Sequence, residues 1–192
     1  MKHSKSPFGR VAWLLAIAVL AGALVYFNVP GTGNASSADA AAPEEDEGIP
    51  FGYEVGQRVP DFSLPTVYAG EWKLSEMRGK AVVLNLWATW CTPCVNELPY
   101  FQNVYDAFGE DIAMLAIHSD LITDDVKEYL DKKTYTMPFA VDESGEVIES
   151  LGGSAMLPQT VILDARGVVT YNQVGSMSED KLRALVEQAL EN

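Results

Sequence analysis

Cysteine and histidine are scarce in this chain, with two of each in 192 residues. Two thiols cannot staple a small scaffold. Nor can four zinc ligands be gathered, because His3 lies in the N-terminal tail and His118 stands alone. Basic residues are also few, 13 Lys+Arg against 27 Asp+Glu, for a formal charge of −14. A nucleic-acid binder needs clustered Lys and Arg to meet phosphates, so that class is excluded. There is no internal repeat and no nicotinamide or flavin motif, and no cofactor is expected.

What is present starts with an asymmetric N-terminus. Residues 1–10 carry Lys2, Lys5 and Arg10 and no acid. The 17 residues from Val11 to Phe27 carry no charge, the short end of the ~17–25 that span a bilayer as a helix. Leading basic residues favour the cytoplasmic side. The segment reads as a signal-anchor, single-pass in the cell membrane, with the rest of the chain outside the cytoplasm. The alternative is a cleaved signal ending near Gly33–Ala35 or Ala38–Ala40, which leaves a secreted or periplasmic protein. No Cys follows the run directly, which excludes a lipid-modified cysteine. Residues 28–49 are Ala, Gly, Ser, Pro and acid, have almost nothing to bury, and read as a flexible acidic linker.

Residues 50–192 carry the pattern of one α/β domain. Strand-like pieces at Asp61–Leu64 and Glu71–Leu74 flank a turn at Tyr68–Gly70. Ala81–Trp87 and Ile112–His118 are short apolar runs suited to strands buried on both faces. Between them a helix is predicted from Cys91 or Thr92 to Phe108, with Leu98, Phe101, Val104, Tyr105 and Phe108 on one stripe and Pro99 kinking it. Helices are also predicted at Asp124–Lys132, at Glu146–Leu151, and from Ser176 or Ser178 onward. Thr160–Leu163 and Val168–Val174 form a hairpin around Asp164–Gly167. A βαβ unit followed by a hairpin and a helix implies a mixed central sheet flanked by helices.

The chemistry lies in Trp90-Cys91-Thr92-Pro93-Cys94, which follows the buried strand and opens the helix. A helix N-terminus presents free N–H groups and about half a positive charge, which favour a thiolate at its first turn. Such thiols have pKa values lowered from about 8.5 to as little as ~3.5–7.5. Cys91, nearer the free end, is the expected nucleophile and Cys94, one turn in, the resolving thiol. Pro93 suits a first turn, where its missing N–H is no loss. Half a zinc site is the rival reading of this spacing, but there is no second pair. A purely structural cross-link this short closes too small a loop to stabilise much. Glu97 falls three residues past Cys94, on nearly the same helix face. Facing a buried strand, its carboxyl would be raised by desolvation and fit to move a proton to or from Cys94. His118 ends a strand and reads as structural, with no chemical role assigned, and Met114, Met137, Met156 and Met177 read as gap-fillers.

The stretch from Val59 to Phe101, with x-P-D-F-x-L-P, R-G-K, W-A-T-W-C-x-P-C and then L-P-x-T at Leu157–Thr160, resembles the membrane-anchored TlpA/ResA-type branch of the thioredoxin-like family. Residues Leu157–Gly175 are also similar to the cytochrome c maturation thioredoxins. The resemblance implies a thioredoxin fold with an N-terminal β-hairpin extension and an insertion before the final hairpin, at about 120–150. It implies a cis Pro158 facing the cysteine pair, a disulfide between Cys91 and Cys94, and a buried glutamate at 97. Asn85 stands where thioredoxin itself carries a buried aspartate, which fits transfer of the acid–base role to Glu97. Trp90, Thr92, Pro93, Leu157 and Pro158 are the residues expected to meet a client.

The resulting expectation is an extracytoplasmic thiol–disulfide oxidoreductase, acting as a reductase of exported disulfide-bearing proteins such as an apocytochrome c. With no cofactor motif in the chain, electrons come from elsewhere, and the resemblance points to a membrane thiol transporter. Two other readings stay open: a redox-inert adaptor that uses the fold only to bind, and a peroxidase of the related peroxiredoxin class. The peroxidase wants Pro and Thr seven and three residues before its cysteine, where Leu84 and Ala88 stand.

Overall fold

The computed structural model describes residues 48–192, apart from 69, 120–123 and 154–155. The expected basic tail, apolar helix and nearly all of the linker lie outside the described residues. So does Ala69 of the first turn. Among the described residues no helix is long and apolar enough to cross a membrane.

The chain first forms a small antiparallel hairpin of β1 (Ser63–Pro65) and β2 (Glu71–Lys73), with Leu64 opposite Trp72. The first strand starts two residues later than its sequence suggests. Asp61 is occupied otherwise, its Oδ1 accepting the Ser75 N–H at 2.8 Å. Leu74, expected in the second strand, opens a 3-10 turn through Met77 instead.

There follow β3 (Ala81–Trp87), α1 (Thr92–Phe108), β4 (Ile112–His118), α2 (Asp124–Asp131), β5 (Phe139–Val141), α3 (Glu146–Ser150), β6 (Gln159–Leu163), β7 (Val169–Val174) and α4 (Glu179–Leu190). The five-stranded sheet has the order β5-β4-β3-β6-β7. β3, β4 and β5 run parallel, while β6 and β7 are antiparallel to their neighbours. Val168 was expected in β7, but it closes the turn, donating its N–H to Asp164 Oδ1 at 3.0 Å. α1 runs unbroken through Pro99, which has no N–H to give the Val95 carbonyl.

Alternation along β3 divides the core into two layers. Ala81, Val83 and Trp87 face α1, α2 and α4 with Leu98, Phe101 and Leu182. Val82, Leu84 and Leu86 face the other way, under Val59, Leu64, Trp72 and Leu74 of the N-terminal extension. A strand buried on both sides needs apolar residues at nearly every position, and in β3 only Asn85 breaks the run. The insertion expected at 120–150 holds α2, β5 and α3. Its strand joins the sheet edge beside β4, Phe139 opposite Ala116. The extension touches both edges: Val67 donates to the Phe139 carbonyl at 2.8 Å and Gly56 to the Val169 carbonyl at 2.9 Å.

Candidate active site

β3 delivers the site at its carboxyl end. From Trp87 the chain passes through Ala88, Thr89 and Trp90 into α1. Two bonds hold this loop: the Thr89 N–H donates to His118 Nε2 at 3.1 Å, and the Ser119 N–H to the Trp87 carbonyl at 3.0 Å. Trp87 is fully buried and packs edge-on against His118 and Phe139.

Cys91 is the N-cap of α1. Its Sγ accepts the Cys94 N–H at 3.3 Å, while Pro93 occupies the first turn. The two sulfurs are bonded at 1.96 Å, with the Cα atoms 5.3 Å apart. An amide at the head of a helix, aimed at a sulfur, favours negative charge there once the bond is opened. Cys91 keeps 5% of its surface and Cys94 none. Around them Trp90 is 64% exposed, and Thr92 and Pro93 are also exposed.

The antiparallel pairing of Leu86 with Gln159 brings the start of β6 to the same end of the sheet. Leu157–Pro158 is a cis peptide bond, and the Pro158 carbonyl accepts the Gly175 N–H at 2.8 Å. Leu157 is half-buried and packs on the core cluster that contains both cysteines.

Glu97 is 2% exposed, one turn below Cys94. Its Oε1 accepts Asn85 Nδ2 at 3.0 Å, and its Oε2 accepts the Met177 N–H at 2.8 Å. Burial pushes its carboxyl from 4.5 up to about 7, against the pull of those two donors. A cleft of about 330 Å³ between Thr92, Pro93, Tyr100 and Met177 reaches this side chain from solvent. The group can therefore hold or release a proton near neutral pH, one helical turn from Cys94. Among the described residues no three or more His, Cys, Asp or Glu are grouped to hold a metal ion.

The structure thus brings Cys91, Cys94, Glu97, Trp90, Thr92 and Pro93 together and sets Pro158 at the same end of the sheet. Three contributions escaped the sequence. His118 anchors the loop before Cys91. Met177, read as a gap-filler, is buried, but it also lends its backbone N–H to Glu97. Met156, likewise read as a gap-filler, is 62% exposed, just ahead of the cis proline. A donor from the backbone leaves no trace in residue type; Asn85, a lone amide in an apolar strand, was the one signal that Glu97 has a partner.

A thioredoxin fold with a bridged Cys-x-x-Cys at the head of the helix after its central strand defines a thiol–disulfide oxidoreductase. Residues 55–172 match the AhpC/TSA family. The chain belongs to that family, within its TlpA/ResA-type thiol–disulfide oxidoreductases. It is 32% identical to the thioredoxin-like protein YneN of Bacillus subtilis over 134 residues, 68% of this chain and 78% of that protein. It is 31% identical to the thiol-disulfide oxidoreductase ResA of Geobacillus thermodenitrificans over 134 residues, 69% of this chain and 76% of that one. The exposed lipoprotein thioredoxin Etrx1 of Streptococcus pneumoniae superposes with a TM-score of 0.62 at 27% identity, covering 67% of this chain and 99% of the other.

Proposed function

We propose that the chain reduces disulfides of exported proteins outside the cytoplasm. One observation carries this reading. The cysteine pair sits under an exposed rim of Trp90, Thr92 and Pro93, with a buried carboxyl one turn below it. In the reduced protein the Cys91 thiolate attacks one sulfur of a client disulfide. The client's other sulfur leaves as a thiolate and takes a proton from solvent. Cys94 then gives its proton to the Glu97 carboxylate and attacks Cys91 Sγ. The client's second thiolate departs and the Cys91–Cys94 disulfide forms. Two electrons have passed to the client, and a membrane thiol transporter restores the dithiol.

Exposed Trp90, Thr92 and Pro93, with half-buried Leu157 and buried Pro158 behind them, form the site that meets the client, an extended segment beside a cysteine. An apocytochrome c with its paired cysteines is one such client. Residues 11–27 anchor the chain in the cell membrane, with 1–10 in the cytoplasm. Residues 28–49 tether a thioredoxin-like domain of 50–192 on the other side.

The test is trapping on full-length Cys94→Ser. This variant keeps the nucleophile and cannot resolve, so mixed disulfides accumulate through Cys91. Accumulation through residue 94 in Cys91→Ser instead would reverse the two roles. Disulfide-reducing turnover in dithiothreitol equal to that of the double Ser variant would sink the enzymatic reading.

A further inference from the structure

Gln159 opens β6 and follows the cis proline directly. It is buried, and alternation along the strand puts its side chain on the face of Val161 and Leu163, in the apolar layer that also holds Leu86 and Leu151. An amide in such a layer costs free energy unless its hydrogen bonds are made. Its Oε1 is buried without a hydrogen-bond partner, a cost that packing alone does not justify.

The bonds it does make are directed. Nε2 donates to the Leu151 carbonyl, eight residues back, at 3.3 Å, and to Asn172 Oδ1 at 2.7 Å. Asn172 Nδ2 in turn donates to the same Leu151 carbonyl at 3.2 Å and to the Tyr53 carbonyl at 3.0 Å. Leu151 is fully buried and is the C-cap of α3. Gly152, with φ of 72°, lies under the Tyr53 ring, where a Cβ would stand 2.4 Å from two ring atoms. Two amides, one from β6 and one from β7, and a ring of the N-terminal extension thus grip the end of α3.

The chain that leaves this grip after Gly152 returns to the site as Met156, Leu157 and Pro158, and meets the grip again at Gln159. One side chain therefore ties the start of the segment to its end. Leu157 packs against both apolar layers, and the Pro158 carbonyl accepts the Gly175 N–H at 2.8 Å.

We infer that Gln159, backed by Asn172, is a clasp that sets the position of Leu157 and Pro158 for a polypeptide client. Both amides lie on the sheet face away from the cysteines, so they are positioning residues and act on the reaction only through the segment they hold. A small disulfide has only to reach Cys91. An extended polypeptide must also lie against Leu157 and Pro158. The clasp therefore bears on polypeptide disulfides and not on small ones.

The inference rests on the proposed reduction of exported proteins for what meets the segment, and its test separates the two. Gln159→Met in the full-length chain keeps the volume and makes neither bond. Pre-reduced protein is mixed with insulin, a polypeptide that carries disulfides, or with bis(hydroxyethyl) disulfide, a small one. The insulin concentration that gives half the limiting rate is expected to rise about tenfold, with the limiting rate unchanged. The rate with the small disulfide is expected to stay within about twofold of the wild type. An unchanged half-saturation overturns the clasp. So does a parallel loss with both disulfides, which would mean that the substitution disturbs the cysteine pair itself. Hydrogen exchange of the oxidised chain gives a reading that needs no client. The Gly175 amide, held by the Pro158 carbonyl, is expected to exchange about tenfold faster in Gln159→Met while the amides of β3 keep their rates. Unchanged exchange at Gly175 overturns the clasp as well. A wild type that reduces the small disulfide and not insulin would remove the reading of proteins as clients, and the exchange measurement would still decide the clasp.

Discussion

His118 Nε2 and the Thr89 backbone N–H are 3.1 Å apart, so the loop that delivers Cys91 hangs on a side chain of the neighbouring strand. The accepting nitrogen carries no proton in this arrangement. His118→Phe keeps a ring against Trp87 and removes the acceptor. The expected loss is about 1–2 kcal/mol, read by urea unfolding of the oxidised protein. A loss under about 0.5 kcal/mol would show that the loop is held by its other contacts.

Glu97 makes stability depend on pH in a direction opposite to that of most carboxylates. Its folded value, about 7, lies above the ordinary 4.5, so the native state holds the proton more tightly than the unfolded chain does. Its contribution is fully present below pH 4.5, declines as pH rises, and is gone above about 7. The shift corresponds to about 3 kcal/mol. Unfolding free energies at pH 5 and pH 8 should differ less in Glu97→Gln than in the wild type. Equal slopes for the two proteins would mean the carboxyl is ionised at both pH values.

In the reduced protein the same substitution has two opposed effects. Removing the negative charge that Glu97 carries at and above about pH 7 eases thiolate formation there, so Cys91 is alkylated faster on that side of neutrality. Removing the proton carrier slows reduction of a protein disulfide, by up to the 10²–10⁴ range of general acid–base catalysis. Thiol and carboxyl titrate as a coupled pair, so the profiles belong to both groups. Iodoacetamide rates and disulfide-reduction rates across pH 5–9 check the pair of effects. Unchanged profiles in both assays would make the carboxylate idle.

The N-terminal segment carries its own prediction. If Val11–Phe27 stays as an anchor, the mature protein begins at or near Met1 and sediments with membranes. Intact mass and fractionation decide it. A soluble form beginning near Ser36 or Ala41 would make the segment a cleaved leader.

β3, α1 and β4 were legible to the residue because their signals are long. Seven buried positions, six of them apolar in each strand, leave no room for ambiguity, and a helix bounded by Cys91 and Gly109 has both ends marked. β5 was not legible. Phe139–Val141 is three residues long behind a proline, too short for alternation to register, and it is a strand only because β4 and the extension pair with it. Within the site, the cysteines and Glu97 were readable because their chemistry depends on residue type and helical spacing. The Met177 N–H and the Thr89–His118 bond come from chain segments brought together by tertiary packing, and no local pattern announces them.

The extension that ends in β1 and β2 meets β7 through Gly56 and Gln57, the turn before it through Arg58, and β5 through Thr66 and Val67. One continuous stretch of chain therefore guards part of both open flanks of the sheet. Exposed strand flanks recruit other chains. A single proteolytic nick inside that stretch would bare two recruiting surfaces at once, on opposite sides of one molecule. Such a molecule would offer pairing surfaces in two directions rather than one.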